Sequence, residues 1–277
     1  MNRPIAVAEI GINHNGDLGI AESLIALAKN FGCDFVKFQK RTVDMVYGEE
    51  FLGTRRISKW GTTQREQKEG LEFGKEEYDK IDSYCKELGI KWFASAWDYK
   101  SVEFLMQYDI PYLKVASACI TDSDLLERIK PYNIPVILST GMSNKEQIDK
   151  ALDYLGNQVE YLLHCTSTYP TPDKDMNMKG LWTLKELYGD KYKIGFSNHS
   201  MKIIYTVQAY VMGAEMLEFH ITLDRNMEGS DQAASIGPVG LDRIMKHINS
   251  IHDGWGDGEI KCLESEIPVM NKLRKMP

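Results

Sequence analysis

Lys37 lies in Phe35-Val36-Lys37-Phe38 and Lys114 in Tyr112-Leu113-Lys114-Val115, each inside an apolar, β-branched or aromatic run. Burying an ammonium group is costly unless it is paired, so a lysine in such a place faces an anion or a carboxylate. Two such lysines with several serines nearby can cradle a phosphate and a carboxylate; paired with carboxylates of the chain, they are structural ion pairs. His199 and His220 each follow or close another apolar run, and two imidazoles aimed at one spot suit a divalent metal ion that keeps open positions. Two hydrogen-bonded core histidines fit the same pattern. After His220 comes Ile221-Thr222-Leu223-Asp224-Arg225 and then Glu228-Gly229-Ser230-Asp231-Gln232, a polar loop leaving a buried strand.

These residues need a scaffold that brings strand ends together. Short apolar runs alternate with helical spacing along the entire chain. The runs are Ile5–Ile10, Asp34–Gln39, Lys91–Ala96, Pro111–Ala116, Pro135–Ser139, Val159–Cys165, Lys193–Phe196 and Ala214–Ile221. The helical stretches are Gly19–Asn30, Lys75–Leu88 closed by Gly89, Ser101–Gln107, Asp122–Ile129, Lys145–Leu155, a turn or more around Trp182–Leu187, Lys202–Val211 and Leu241–Ile251. Eight β-then-α units without a break in composition predict an α/β fold, a single (β/α)8 TIM barrel over residues 1–277. In such a barrel the chemistry lies where strands give way to βα loops. Those positions carry Glu9, Lys37, Gln39, Ser95, Lys114, Ser117, Ser139, Tyr169, Ser197, His199, His220 and Asp231. A long segment, 41–74, interrupts the second unit with little periodicity, and a basic tail, 262–277, is expected to form a helix packed on the barrel's exterior.

The 277 residues carry a formal charge of −7 with 43% apolar residues, which argues against a broad nucleic-acid footprint but leaves room for a local basic pocket. No apolar run approaches a bilayer span and the first residues lead straight into a strand, so a cytoplasmic protein without a membrane partner is expected. Five cysteines, an odd number without a CxxC pair, read as thiols in a reducing compartment.

Several stretches are distinctive together: Ala8-Glu9-Ile10-Gly11-Ile12-Asn13-His14-Asn15-Gly16, Val36-Lys37-Phe38-Gln39, Leu138-Ser139-Thr140-Gly141-Met142, Leu163-His164-Cys165-Thr166, Tyr169-Pro170-Thr171-Pro172 and the run around His220. In this order they resemble the sialic acid (N-acetylneuraminate) synthase family over essentially the entire barrel. The resemblance implies condensation of phosphoenolpyruvate with an open-chain, N-acylmannosamine-like aldose to a 3-deoxy-2-keto sugar acid with release of phosphate. It implies that Lys37, Lys114, Ser117, Ser139 and Ser197 hold phosphoenolpyruvate; Ser95 and Ser167 are also expected to bind substrate. His199 and His220 would bind a divalent ion, Mn²⁺ or Mg²⁺, while Glu9, Gln39, Tyr169 and Asp231 serve the sugar and the metal's water. A homodimer is expected.

Three departures bear on the sugar. With the sequence ending at Pro277, the family's C-terminal antifreeze-like domain, which lends an arginine to the partner's site, is expected to be absent. Cys119 stands where the family has a glutamate, and Ser167 where it has an asparagine. An acceptor that is unacylated or phosphorylated is therefore an alternative; a Schiff-base aldolase using Lys114 or Lys37, or a non-catalytic sugar-acid-binding barrel, are others. With no antifreeze-like module to close the site, 41–74 is expected to stand over the barrel mouth or at a subunit contact, with Arg55, Arg56 or Arg65 near the sugar's distal end.

Overall fold

The computed structural model describes residues 2–275. Eight parallel strands close into a barrel: β1 (Ile5–Gly11), β2 (Phe35–Lys40), β3 (Lys91–Ala96), β4 (Leu113–Val115), β5 (Val136–Ser139), β6 (Val159–His164), β7 (Lys193–Asn198) and β8 (Met216–His220). Closure comes from β1 pairing with both β2 and β8. All eight expected strands are present. Their residues are buried on both faces because side chains fill the barrel on one side and helices cover the other, which is why they read as continuous apolar runs.

The helices of the outer ring include α1 (Leu18–Asn30), α3 (Lys75–Leu88), α4 (Tyr99–Leu105), α5 (Ser123–Ile129), α6 (Lys145–Leu155), α7 (Lys179–Tyr188), α8 (Ile203–Val211) and α9 (Pro238–Gly254); α2 belongs to the insertion. Their starts follow local chemistry. Asp17, Asp98, Asp122 and Asn144 each accept a backbone N–H of the first turn, satisfying donors that the helix cannot.

The insertion 41–74 is not the irregular loop that its lack of periodicity suggests. It holds two single helical turns (Val43–Val46 and Glu49–Leu52), a hairpin (Arg55–Ser58 with Gly61–Thr63) and helix α2 (Gln64–Leu71). Thr63 and Glu66 form a reciprocal capping box that starts α2. The Thr-x-x-Glu signal is present in the sequence, but only Gln67 and Leu71 of this helix are buried, so no apolar stripe announces it. The insertion stands on the face where the strands end. Lys59 Nζ donates to Asn15 O of the β1–α1 loop at 2.7 Å. Gly16 of that loop approaches the insertion so closely that a Cβ there would lie 2.1 Å from Gly70 O.

The tail corrects another expectation. A helix, α10 (Ile267–Leu273), does form, but none of its residues is buried, so it does not pack on the barrel. The five cysteines are free thiols, all buried except Cys262.

Candidate active site

A row of buried charges crosses the barrel at the ends of its strands. Lys37 Nζ lies 2.9 Å from Glu9 Oε2 and 3.6 Å from Glu218 Oε1, and Lys114 Nζ donates to Glu218 at 3.0 and 3.2 Å. Strand register explains the meeting: Glu9 pairs with Lys37 on one side and with His220 on the other, and Glu218 sits two residues before His220 on the same face of β8. Burial opposes ionisation of Lys37, yet Glu218 and Glu9 outweigh it and raise its pKa. At Lys114 burial wins over Glu218, with Lys37 adding repulsion, and the pKa falls. Burial would likewise raise Glu218, but two lysines hold its carboxyl well below the usual range. The direction we stand behind is a carboxylate between two cations. Lys37 also donates to Ser95 Oγ at 3.1 Å, and Ser197 Oγ donates to Glu218 at 3.0 Å.

His199 and His220 lie beside this row, ring centroids 5.5 Å apart. Nδ1 of His199 stands 2.7 Å from Thr166 O, which fixes a proton on Nδ1 and leaves Nε2 with a lone pair. That Nε2 meets Tyr169 Oη at 2.9 Å and Ser197 Oγ at 3.3 Å. Burial, reinforced by His220, pulls the His199 pKa down to about 3, so the ring is neutral. Nδ1 of His220 is buried without a hydrogen-bond partner, 3.7 Å from Asp231 Oδ2. Two imidazoles, one with a directed lone pair and one with an unpartnered nitrogen, fit a divalent cation. No third His, Cys, Asp or Glu completes a metal cluster among the described residues, so such an ion would keep positions open for other ligands.

Hydroxyls line the opposite wall. Gly141 N donates to Ser117 Oγ at 3.1 Å, and Ser117 Oγ lies 3.1 Å from Cys165 Sγ. A Cβ on Gly141 would stand 2.3 Å from Ser167 Oγ and 2.8 Å from both Cys165 Sγ and Ser117 Oγ, so only glycine leaves this group of atoms room. Ser167 Oγ is buried and has no partner. Nearer the mouth, Gln39 Nε2 donates to Glu9 Oε1 at 2.6 Å, and Arg41 stacks on Trp97 at 4.5 Å.

The cavity these groups enclose is about 130 Å³ and is lined by Glu9, Lys37, Gln39, Ser95, Lys114, Ser117, Ser139, Ser167, Tyr169, Ser197, His199 and His220. Of the residues expected at the site only Asp231 stands outside the lining, its Oδ2 3.7 Å from His220 Nδ1. Arg65 is elsewhere: it is held by Asp44, Glu49 and Glu69 on the outer side of the insertion, and Arg55 is exposed. Of the three arginines proposed for the sugar, Arg56 alone is buried at its Nε. His14 and His164 are structural, His14 stacked 4.0 Å from Phe73 and His164 set against Met176 O. The expectation that the lysines face an anion holds in one form: the anions in contact are Glu9 and Glu218. Glu218 itself is the functional residue that sequence reasoning passed over. Its signal was the same as that of the lysines, a charge inside the apolar run Met216-Leu217-Glu218-Phe219.

The chain is similar to known proteins over nearly its whole length. The sequence profile of the NeuB family matches residues 24–260. The N-acetylneuraminate-9-phosphate synthase of Homo sapiens is 34% identical over 97% of this chain and 76% of its own length. The N,N'-diacetyllegionaminic acid synthase of Campylobacter jejuni is 33% identical over 99% of this chain and 84% of its own. Among solved structures, the N-acetylneuraminic acid synthetase of Leptospira borgpetersenii superposes with a TM-score of 0.83 at 30% identity, covering 99% of this chain and 94% of that one.

Proposed function

The chain belongs to the NeuB family, and we propose from this premise that it joins phosphoenolpyruvate to an open-chain, N-acylmannosamine-like aldose, forming a nonulosonic acid and releasing phosphate. One observation carries the reading. The Glu9–Lys37–Glu218–Lys114 row and the His199–His220 pair open into the same small cavity at the ends of the strands.

Lys37 and Lys114 bind the anionic ends of phosphoenolpyruvate, and Ser95, Ser117, Ser139, Ser167 and Ser197 donate hydroxyls around it. Glu218 sets the spacing of the two ammonium groups, so they are positioned before the substrate arrives and little reorganisation is needed. Carbon–carbon bond formation joins C3 of phosphoenolpyruvate to the aldehyde carbon; water adds at C2, and phosphate leaves by C–O cleavage. Glu9 and Gln39, hydrogen-bonded to each other at the mouth, are placed to orient the sugar's hydroxyls. His199 and His220 would hold a divalent ion, Mn²⁺ or Mg²⁺, which when bound supplies Lewis-acid polarisation of the aldehyde. Thr166 orients the His199 ring through Nδ1, Tyr169 meets its Nε2, and Asp231 stands 3.7 Å from His220 Nδ1.

Lys37 and Lys114 each sit against a carboxylate, Glu9 and Glu218 respectively, and no observation favours a Schiff-base aldolase. Phosphoenolpyruvate is a cytoplasmic metabolite, and the reaction belongs in that compartment; no helix among the described residues is long and apolar enough to cross a membrane. The assembly we propose is a homodimer, to be read by light scattering.

Phosphate release from phosphoenolpyruvate, measured against a panel of aldoses with Mn²⁺ and with excess chelator, tests the reading. The expected result is release that requires both an aldose and the ion. Release without an aldose, or full turnover in chelator, would overturn it.

A further inference from the structure

Arg41, the first residue of the insertion, is tied at once to the end of that segment and to the wall of the reaction cavity. Its side chain is only 9% exposed. Nη1 donates to Glu72 Oε1 at 3.3 Å, and the backbone N–H of Arg41 donates to Glu72 Oε2 at 3.1 Å. Lys40 Nζ meets the same carboxylate at 3.4 Å. Glu72 thus closes the base of the insertion on its own first residues. The guanidinium carbon lies 4.5 Å from the Trp97 ring centroid, and Nη2 donates to Gln39 Oε1. Nε has no partner among the described residues, so Glu72, Trp97 and Gln39 are what fix the group. Gln39 and Trp97 line the cavity, whereas Arg41 does not.

The contact with Gln39 decides which way an amide points. A glutamine side chain ends in an acceptor oxygen and a donor nitrogen of nearly equal size, so either orientation fills the same space. A guanidinium has donors only, so Oε1 must face Arg41, and Nε2 then faces Glu9, whose Oε1 accepts at 2.6 Å. Space is short beside this pair: a Cβ on Gly11 would stand 3.0 Å from Glu9 Oε1 and 3.1 Å from Gln39 Nε2, and the φ of +54° there suits glycine. The other oxygen of Glu9 lies 2.9 Å from Lys37 Nζ. Charges and dipoles therefore run in one sense from the insertion to the buried row, through Glu72, Arg41, Gln39, Glu9 and Lys37. With Oε1 held by Arg41 and one N–H given to Glu9, the amide keeps one N–H for a ligand.

Resting on the synthase reading above, we propose that Arg41 is a positioning residue: by holding Oε1 it locks the Gln39 amide with its nitrogen toward Glu9, so that Gln39 meets the acceptor sugar as a hydrogen-bond donor. Without the guanidinium the amide can turn about its last bond, and a turned amide sets its oxygen against the Glu9 carboxyl and loses that hydrogen bond. A donor fixed before the sugar arrives needs no reorganisation on binding. Lys37 is held independently by Glu218 and Ser95, so the effect stops short of phosphoenolpyruvate. Closure of the insertion's base on Glu72 and readiness of the acceptor site are thereby linked through one side chain.

The test uses Arg41→Met, Gln39→Leu and the double variant, with N-acetylmannosamine, phosphoenolpyruvate and Mn²⁺. Arg41→Met should lower kcat/KM for the sugar by about tenfold, the worth of one well-placed hydrogen bond. KM for phosphoenolpyruvate should stay within about twofold of wild type, a split that general loosening of the fold does not produce. In the Gln39→Leu background the same change should alter kcat/KM by less than about twofold, because residues that act as a unit are not additive. Losses that multiply in the double variant, or an equal rise in both KM values, would overturn the positioning role. Solvent exchange of the Gln39 side-chain amide protons, assigned by their disappearance from the ¹⁵N spectrum of Gln39→Leu, reads the same lock without turnover. Arg41→Met should speed that exchange by about tenfold, and exchange left unaltered overturns the proposal whatever the activity. If the wild type does not use N-acetylmannosamine, the exchange measurement decides alone: acceleration sustains the locked amide while the synthase reading for this sugar falls.

Discussion

At the scale of single residues the site is governed by one carboxylate between two ammonium groups. Removing one partner of a buried ion pair leaves an uncompensated charge, whereas removing both partners does not. Glu218→Gln should therefore lower unfolding free energy by about 3 kcal/mol, because Lys114 loses its carboxylate partner while Lys37 keeps Glu9. The double variant Lys114→Met/Glu218→Gln should recover more than half of that loss in urea titrations, although it sacrifices phosphoenolpyruvate binding. If the double variant is no more stable than the single one, the row is not a coupled unit. Glu218 thus has two duties, in stability and in placing the lysines, and the double variant separates them.

At the scale of elements, the β1–α1 loop joins the barrel to the insertion, and His14 is its keystone. Gly16 N donates to His14 Nδ1 at 3.1 Å, and burial, followed by the charge of Arg41, lowers the His14 pKa to about 3. The unfolded chain, with histidine near 6.5, binds this proton more readily than the folded one between about pH 3 and 6.5. Stability contributed here is complete above pH 6.5 and is lost as pH falls towards 3. Replacing His14 by Phe, which retains stacking on Phe73, should flatten the dependence of urea-unfolding stability on pH in this window. An unchanged slope would show that other groups carry it. The insertion itself is a folded element rather than a loose loop, since a capping box, a hairpin and the Gly16–Gly70 approach each restrain it.

For the whole molecule, the barrel and the tail differ in kind. The barrel encloses one continuous core between strands and helices, and its closed sheet has no free edge. Residues 260–275 bury almost nothing: Ile260 is fully exposed, and Leu273 and Val269 are more than half exposed. Deleting 260–275 should move the melting temperature by no more than about 2 °C, because surface changes that touch no core stay within roughly 0.5 kcal/mol. A drop of 5 °C or more would mean that the tail contributes to the folded barrel in solution.

The alternation of apolar runs with amphipathic helices determined the barrel, because buried parallel strands and covering helices have different periods that a chain cannot hide. The same reasoning made Lys37, Lys114, His199 and His220 legible, since a polar group in an apolar strand stands out. What the sequence left open was which charge meets which. Glu9, Lys37, Lys114 and Glu218 come from strands far apart in the chain, and only the register of a closed barrel brings β8 beside β1 and aims Glu218 at both lysines. Tertiary structure also decided among the arginines of the insertion. Arg65 and Arg56 are equally basic in sequence, but carboxylates of the insertion take the first, and packing buries the Nε of the second. The tail was overread for the opposite reason: local propensity suffices to form α10, but docking it requires a complementary surface, and local sequence carries no information about that.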